Sequence, residues 1–512
     1  MLKQKVLLLI LVLVLLLTAF AEFGRSDAQA SFDASLASAT KDTLIVAIGS
    51  EPATLDPYAH SKQEGFTTTT LIFETLVKKD KNGEFIPWLA TEWNFVDDTT
   101  VIFKLRDDVT FHDGNKLTAE DVRFSLTYGA ESSFSKNLFG SIDVENTKAI
   151  DETTFELKLL QPYAPLLEAL SSFRAGIISK AAHESMGTEA FGRAPVGTGP
   201  MKFTNWVSGD RMEMDAFADY WGDPLPFKKT IIRIISEASA RSIELETGGV
   251  DIAFDVSFSD WIRLDENPDT KLVSGQSQSF TFLLLNNSIE PFNDVRVRKA
   301  LAYGLDMNAL VKIAWQGQAE PADTFYSKNI LGHKTEGPME YNPEKAKELL
   351  TEAGYPEGLT IQYYTHETQV NTAIAEIVEN MWGQIGVKVK INIVDLATIT
   401  SMNNAGEVTV SHMATPAAIA DPDAALLIWP IYRTISVRHN DQKVQDFLDA
   451  GKATYVESER STIYQELQDY LWEQMYVIPV AFPKAAFGTQ RNISLDFAPS
   501  LVPDLTQVII TE

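Results

Sequence analysis

The chain has 512 residues, 45% of them apolar, a formal net charge of −27 and no cysteine. Such length and apolar content suit about three domains of ordinary size and exclude a disordered chain or a single small module. The charge repels nucleic acid and anionic membranes, and the missing thiol excludes disulfides, thiolate metal sites and a lipid-modified N-terminal cysteine.

Lys3 and Lys5 precede an unbroken apolar run, Val6 to Leu17. The run is shorter than the about 20 residues a transmembrane helix needs. Small-residue patterns follow at Ala19-Phe20-Ala21 and Ala28-Gln29-Ala30. Residues 1–30 therefore read as a secretory signal peptide, cleaved after Ala21 or Ala30, with an uncleaved anchor as the alternative. An exported, soluble mature protein is expected, periplasmic or otherwise extracytoplasmic.

Thr43–Gly49, TLIVAIG, has the composition of a buried strand, and the two prolines of Ser50–Tyr58 keep the next segment from being helix. Val101–Leu105 is strand-like, and Arg106–Leu117, RDDVTFHDGNKL, is rich in turn residues. Thr118 then fits a helix N-cap, with Asp121 completing a capping-box pattern and Val122 and Leu126 on one face. Glu120 and Asp121 fall in the first turn, where the macrodipole favours acids. His112 and Asp113 read as turn residues, because no further ligands stand at metal-binding spacing.

Ala194–Phe203, APVGTGPMKF, is a glycine-rich turn before a strand and lacks the Lys-Ser/Thr pair of a phosphate loop. Thr230–Phe254 reads as strand, helix, Gly248-Gly249 stop and strand, a βαβ unit. Ser279–Asn287 is another buried strand. Asn293 and Asp294 are caps for a helix with Val297, Leu301 and Leu305 on one face. Asn342, Pro343 and Gly354 mark the cap, first position and stop of the next helix. Leu359–Tyr364 alternates as a strand, Ala373–Ile385 is helical up to Gly386, and Val387, Val389, Ile391 and Ile393 alternate as a strand. Strand–helix–strand order in both halves argues for two α/β lobes with largely parallel sheets.

Reactive constellations are missing. There is no G-x-S-x-G elbow, and the His-Glu pairs at His183 and His366 lack the second histidine of a zinc protease. A glycosidase needs only two carboxylates, so an exported glycan-active hydrolase stands as the enzyme alternative.

Five segments in order carry a resemblance: Phe73–Trp93, Phe103–Ser125, Ala194–Phe203, Phe292–Asp306 and Tyr341–Pro356. Across nearly the whole mature chain the sequence resembles the extracellular solute-binding proteins of family 5, the peptide- and nickel-binding components of ABC importers. The resemblance implies an α/β, two-lobed periplasmic binding protein fold of the class II type with an additional small subdomain. Lobe I would comprise about 42–58, 195–276 and 484–512, the small subdomain 59–194, and lobe II 277–483. It further implies a monomer that is not an enzyme and uses no cofactor. A peptide or peptide-like solute would be held between the lobes and delivered to a membrane permease. A nickel–metallophore chelate is the alternative cargo.

Four stretches are candidates for the cleft. Ser50 and Glu51 follow the first strand, where open α/β sheets bind ligands. Arg174, in LSSFRAGIIS, matches an arginine of the ligand cleft in nickel-binding relatives; it either grips a carboxylate bidentately or forms an ordinary ion pair. Gln278, near the expected lobe crossing, offers a donor and an acceptor, or is a solvated linker residue. The stretch Ser411–Trp429 contributes His412, Thr415, Asp421, Asp423 and Trp429. His412 is either a chelate contact, as the resemblance allows, or a structural side chain. Dipeptide-binding relatives place an aspartate just before the Asp-Pro-Asp pattern; here Ala417, Ala418 and Ile419 stand instead, which argues against free-amine dipeptide recognition of that kind.

Overall fold

A computed structural model describes residues 41–60, 62–417, 419–426, 437–439, 441–500 and 502–511. The expected signal peptide, Ala418 and Trp429 lie outside the described residues. The strands and helices of the fold belong to the unit Thr40–Ile510.

Twenty strands are described. The first is β1 (Lys41–Ile48), followed by β2 (Val77–Lys79), β3 (Phe85–Pro87), β4 (Ala90–Asp97), β5 (Thr100–Leu105), β6 (Lys148–Ala149) and β7 (Thr154–Lys158). Then come β8 (Met201–Val207), β9 (Arg211–Ala216), β10 (Phe227–Ile234), β11 (Ile252–Ala253) and β12 (Thr270–Gln276). The rest are β13 (Ser279–Leu285), β14 (Ala319–Pro321), β15 (Leu359–Thr365), β16 (Val387–Ile393), β17 (Val410–Pro416), β18 (Val477–Gln490), β19 (Ile493–Ser494) and β20 (Ile509–Ile510).

One long strand organises the two lobes. The first half of β18 pairs with β13 and β14, and its second half with β12 and β11. The pairing thus changes over at Ser277-Gln278 between β12 and β13 and at Pro483-Lys484 within β18, and the strands on the two sides are taken as those of lobe I and lobe II. The crossings are tied together: the Ser277 hydroxyl donates to the Pro483 carbonyl at 2.6 Å, and the Gln276 amide donates to Phe482 O at 2.9 Å.

Both sheets are mixed, which corrects the expectation of largely parallel ones. In lobe I, β1 runs parallel to β10 and β11, while β8, β9, β12 and β18 pair antiparallel. In lobe II, β15 runs parallel to β16 and β17, whereas β13, β14 and β18 pair antiparallel. The reason is connectivity. The βαβ unit is present, with β1 lying between its two strands. But β8 and β9 form a hairpin, and β13 lies antiparallel between β17 and β18.

The apolar run SFTFLLL of β13 is covered on both faces. Leu283 and Leu285 face a layer that includes Trp382 of the helix Gln369–Gln384; Phe280, Phe282 and Leu284 face a second layer under the helix Glu457–Gln474. Local signals explain the helix ends. Asn342 accepts the Lys345 N–H at 3.1 Å, and Gly354 adopts φ +95° one residue past the last turn.

The small subdomain is an antiparallel sheet in the order β4-β5-β7-β6, covered by the helix Ala119–Glu131. Asp121 accepts the Thr118 N–H at 3.0 Å and the Thr118 hydroxyl at 2.6 Å. His112 is buried: Nε2 donates to Gly199 O at 2.8 Å, and Nδ1 accepts from Gly197 N at 3.4 Å. Its turn therefore stitches onto the GTGP loop. A Cβ on Gly197 would meet the Ile72 carbonyl oxygen at 2.0 Å, so the close approach requires glycine.

Candidate ligand cleft

The segment carrying Arg174 begins with the helix Leu166–Ser171. Ser172 then accepts the Arg174 N–H and turns the chain into one 3-10 turn, Phe173–Ala175. This places the guanidinium 4.6 Å from the Phe66 ring centre and 5.7 Å from that of Phe173. Its Nε is buried with no hydrogen-bond partner, and no carboxylate pairs with it among the described residues. Burial pushes the Arg174 pKa down to about 10. Ring faces offset part of the desolvation penalty, but a partly buried cation without an anion is unfavourable unless something else neutralises it. His60 packs on Phe66 at 4.2 Å. Burial, then the charge of Arg174, lowers its pKa to about 4, so this imidazole is neutral at pH 7.

Beside this segment lies a cavity of about 330 Å³ whose walls come from all three parts of the molecule. The small subdomain supplies Lys79, Glu168 and Phe173, the crossing supplies Gln278, lobe II supplies Ile419 and Ala420, and the C-terminal segment supplies Ser500. Lys79 pairs with Glu168, which also accepts the Ala420 N–H at 3.3 Å. Lys78 stands 3.6 Å from Asp504. Glu74, also in the wall, is buried and accepts from Trp221 Nε1 at 2.6 Å, the Tyr220 hydroxyl at 2.8 Å and Trp88 Nε1 at 3.0 Å. Both wall lysines thus have acidic partners and Glu74 has neutral donors, while Arg174 next to the wall has no anion.

The other candidates separate. Gln278 lines the cavity; its N–H donates to Pro499 O at 2.8 Å, and its buried Oε1 has no partner. Thr415 pairs with Phe280 in register, and its buried Oγ1 is likewise without a partner. Period-two alternation turns His412 to the opposite face of β17. There its Nδ1 meets Asn371 Oδ1 at 2.8 Å, and the ring lies edge-on to Trp315. Burial pushes its pKa down to about 3. Ser50 donates to Glu64 at 2.7 Å, and Glu51 accepts from Trp206 Nε1 at 2.6 Å and Gly209 N at 3.1 Å; both are committed to contacts within their own half. Asp421 and Asp423 are buried in lobe II behind Ile419 and Ala420, against Arg460 and Lys452. Sequence reasoning missed Lys79, Glu168 and Glu74, which no local motif distinguishes from the chain's other charged residues.

Among the described residues no group of three or more histidines or acids is placed to hold a metal ion. No helix among them is long and apolar enough to cross a membrane.

Two α/β lobes joined by two tied crossings, with a walled cleft between them, define a two-lobed binding protein. Residues 84–432 match the model of the bacterial extracellular solute-binding proteins, family 5, and the chain belongs to that family. The glutathione-binding protein GsiB of Escherichia coli K12 is 29% identical over 476 residues, covering 90% of this chain and 93% of its own. The Helicobacter pylori periplasmic binding protein DppA, solved in complex with peptide STSA, superposes with a TM-score of 0.80 at 24% identity, over 93% of this chain and 99% of its own. Campylobacter jejuni NikZ, solved with Ni(L-His), superposes with a TM-score of 0.76 at 25% identity, over 89% of this chain and 95% of its own.

Proposed function

We propose that this protein is the exported binding component of an ABC importer, and that it captures a peptide or peptide-like solute bearing a carboxylate and hands it to a membrane permease. Arg174 carries the reading: a half-buried guanidinium with no protein anion and a buried, partnerless Nε, next to a cavity whose wall lysines already have acidic partners, is complementary to a ligand carboxylate. Gln278 provides an unmatched polar atom in the wall that would fix the rest of the solute. The name of GsiB supports the peptide class. Binding needs no reactive group, so no turnover of the solute is expected.

A nickel chelate is the second reading. It is favoured by the complex of NikZ, in which the chelating histidine also carries a carboxylate.

The test is calorimetry of the mature protein with glutathione, a tetrapeptide and Ni(L-His), alongside mass spectrometry of solute released on denaturation. A carboxylate-bearing peptide recovered unchanged is the expected result. Binding of the nickel complex alone selects the second reading, and conversion of the solute rejects both.

A further inference from the structure

Small-subdomain and lobe II residues also meet at a rim outside the ligand cavity, and each side of that meeting is braced by its own hydrogen bonds. On one side is the tip of the β4–β5 hairpin. Asp97 fixes its turn by accepting from Thr99 N at 2.8 Å and from the Thr100 hydroxyl at 3.0 Å, which aims the Asp98 carbonyl outward. On the other side Tyr455 sits in the short link between the helices Gln442–Ala453 and Glu457–Gln474. That link is held because Arg460 Nε donates to Gly451 O at 2.7 Å.

The two sides are bonded. The Tyr455 hydroxyl donates to Asp98 O at 2.7 Å and accepts from Tyr163 N at 3.2 Å. Ala164 N donates to Lys452 O at 2.7 Å. The Tyr455 ring meets Phe95 edge-on at 6.0 Å. These bonds engage backbone groups near the surface. Water replaces them when they part, so they hold without being permanent.

We propose that Tyr455, Asp98 and Tyr163 form a latch through which the small subdomain holds lobe II in the closed arrangement, separately from any contact made by the solute. This goes beyond the binding role and does not depend on which solute is carried. The latch sets the resting balance between open and closed forms, and that balance scales the apparent affinity for every cargo alike.

The chain has no cysteine, so spin labels at Glu145→Cys and Asp446→Cys report the separation of small subdomain and lobe II without background. The measurement is a pulsed electron–electron distance distribution of the solute-free protein. Wild type is expected to show a short-distance population. Tyr455→Phe keeps the ring against Phe95 and removes both hydroxyl bonds, so its closed-to-open ratio should fall about five- to tenfold; Tyr455→Ala should lower it further. Identical distributions in all three proteins overturn the latch, as does a wild type with only the long distance. Because no solute enters the measurement, its outcome is independent of the cargo assignment.

Discussion

Arg460 clasps Asp421 through two parallel hydrogen bonds, Nη1 to Oδ2 at 2.6 Å and Nη2 to Oδ1 at 2.7 Å, with both side chains buried. Asp421 also caps the turn beginning at Pro422, accepting the Asp423 N–H at 2.8 Å. The pair thereby anchors the segment whose Ile419 and Ala420 wall the cavity. Arg460→Ala leaves a buried carboxylate unpaired and should destabilise the fold by about 3–5 kcal/mol. Arg460→Lys should recover little, since lysine lacks the two-pronged geometry. Urea unfolding of the three proteins measures both effects.

Asp423 has the opposite character. Burial raises its pKa to about 6, against a partial offset from Lys452. The native state therefore holds a proton that the unfolded chain, with an aspartate pKa of about 3.9, releases. This group's contribution to stability is neutral below pH 4, worsens as pH rises towards 6, and is constant above that, a difference of about 3 kcal/mol. Asp423→Asn removes the penalty. The stability of the variant minus that of wild type should rise between pH 4 and pH 6.5 in urea titrations and then level off; a flat difference would contradict it.

For Arg174 the expectation is a loss of solute affinity of roughly thirtyfold or more in Arg174→Ala, with no rescue by lysine. Removing a desolvated and unpaired cation should leave the fold equally stable or more so. Calorimetry against the copurified solute, paired with thermal unfolding, separates this from a merely structural arginine, whose removal would lower stability and spare affinity.

His112 and Thr118 should move stability and not binding. Burial lowers the His112 pKa to about 4. The unfolded chain therefore takes up a proton first, and the stability this residue contributes is lost as pH falls from about 6.5 towards 4. His112→Gln should flatten that part of the pH profile. Thr118→Ala should cost about 1 kcal/mol through the lost cap. Solute affinity at pH 7 should be unchanged in both.

Legibility in the chain tracks the range of the interactions. Helix ends at Asn342, Asp294 and Thr118 depend on atoms within a few residues, and each was legible. So was the structural role of His112, although its partners at Gly197 and Gly199 are remote in sequence. Arg174 stood out by its setting in a matched motif, whereas its lack of a counter-charge is a property of the packed protein. Glu168 and Lys79 were invisible because they reach the cavity only when three distant segments converge. His412 and Thr415 are three residues apart in one loop-like stretch; pleating, which the sequence alone left unassigned there, puts them on opposite faces.

β18 has a consequence for the order in which this molecule is made. Its partners β11, β12, β13 and β14 all lie at least 150 residues earlier in the chain, so the contacts that complete both lobes have large sequence separation and form slowly. Neither half can finish its sheet until the chain has been delivered as far as Gln490. A polypeptide emerging from its N-terminus thus remains incompletely folded until almost its entire length is available, and the same strand that joins the two sheets postpones the completion of both.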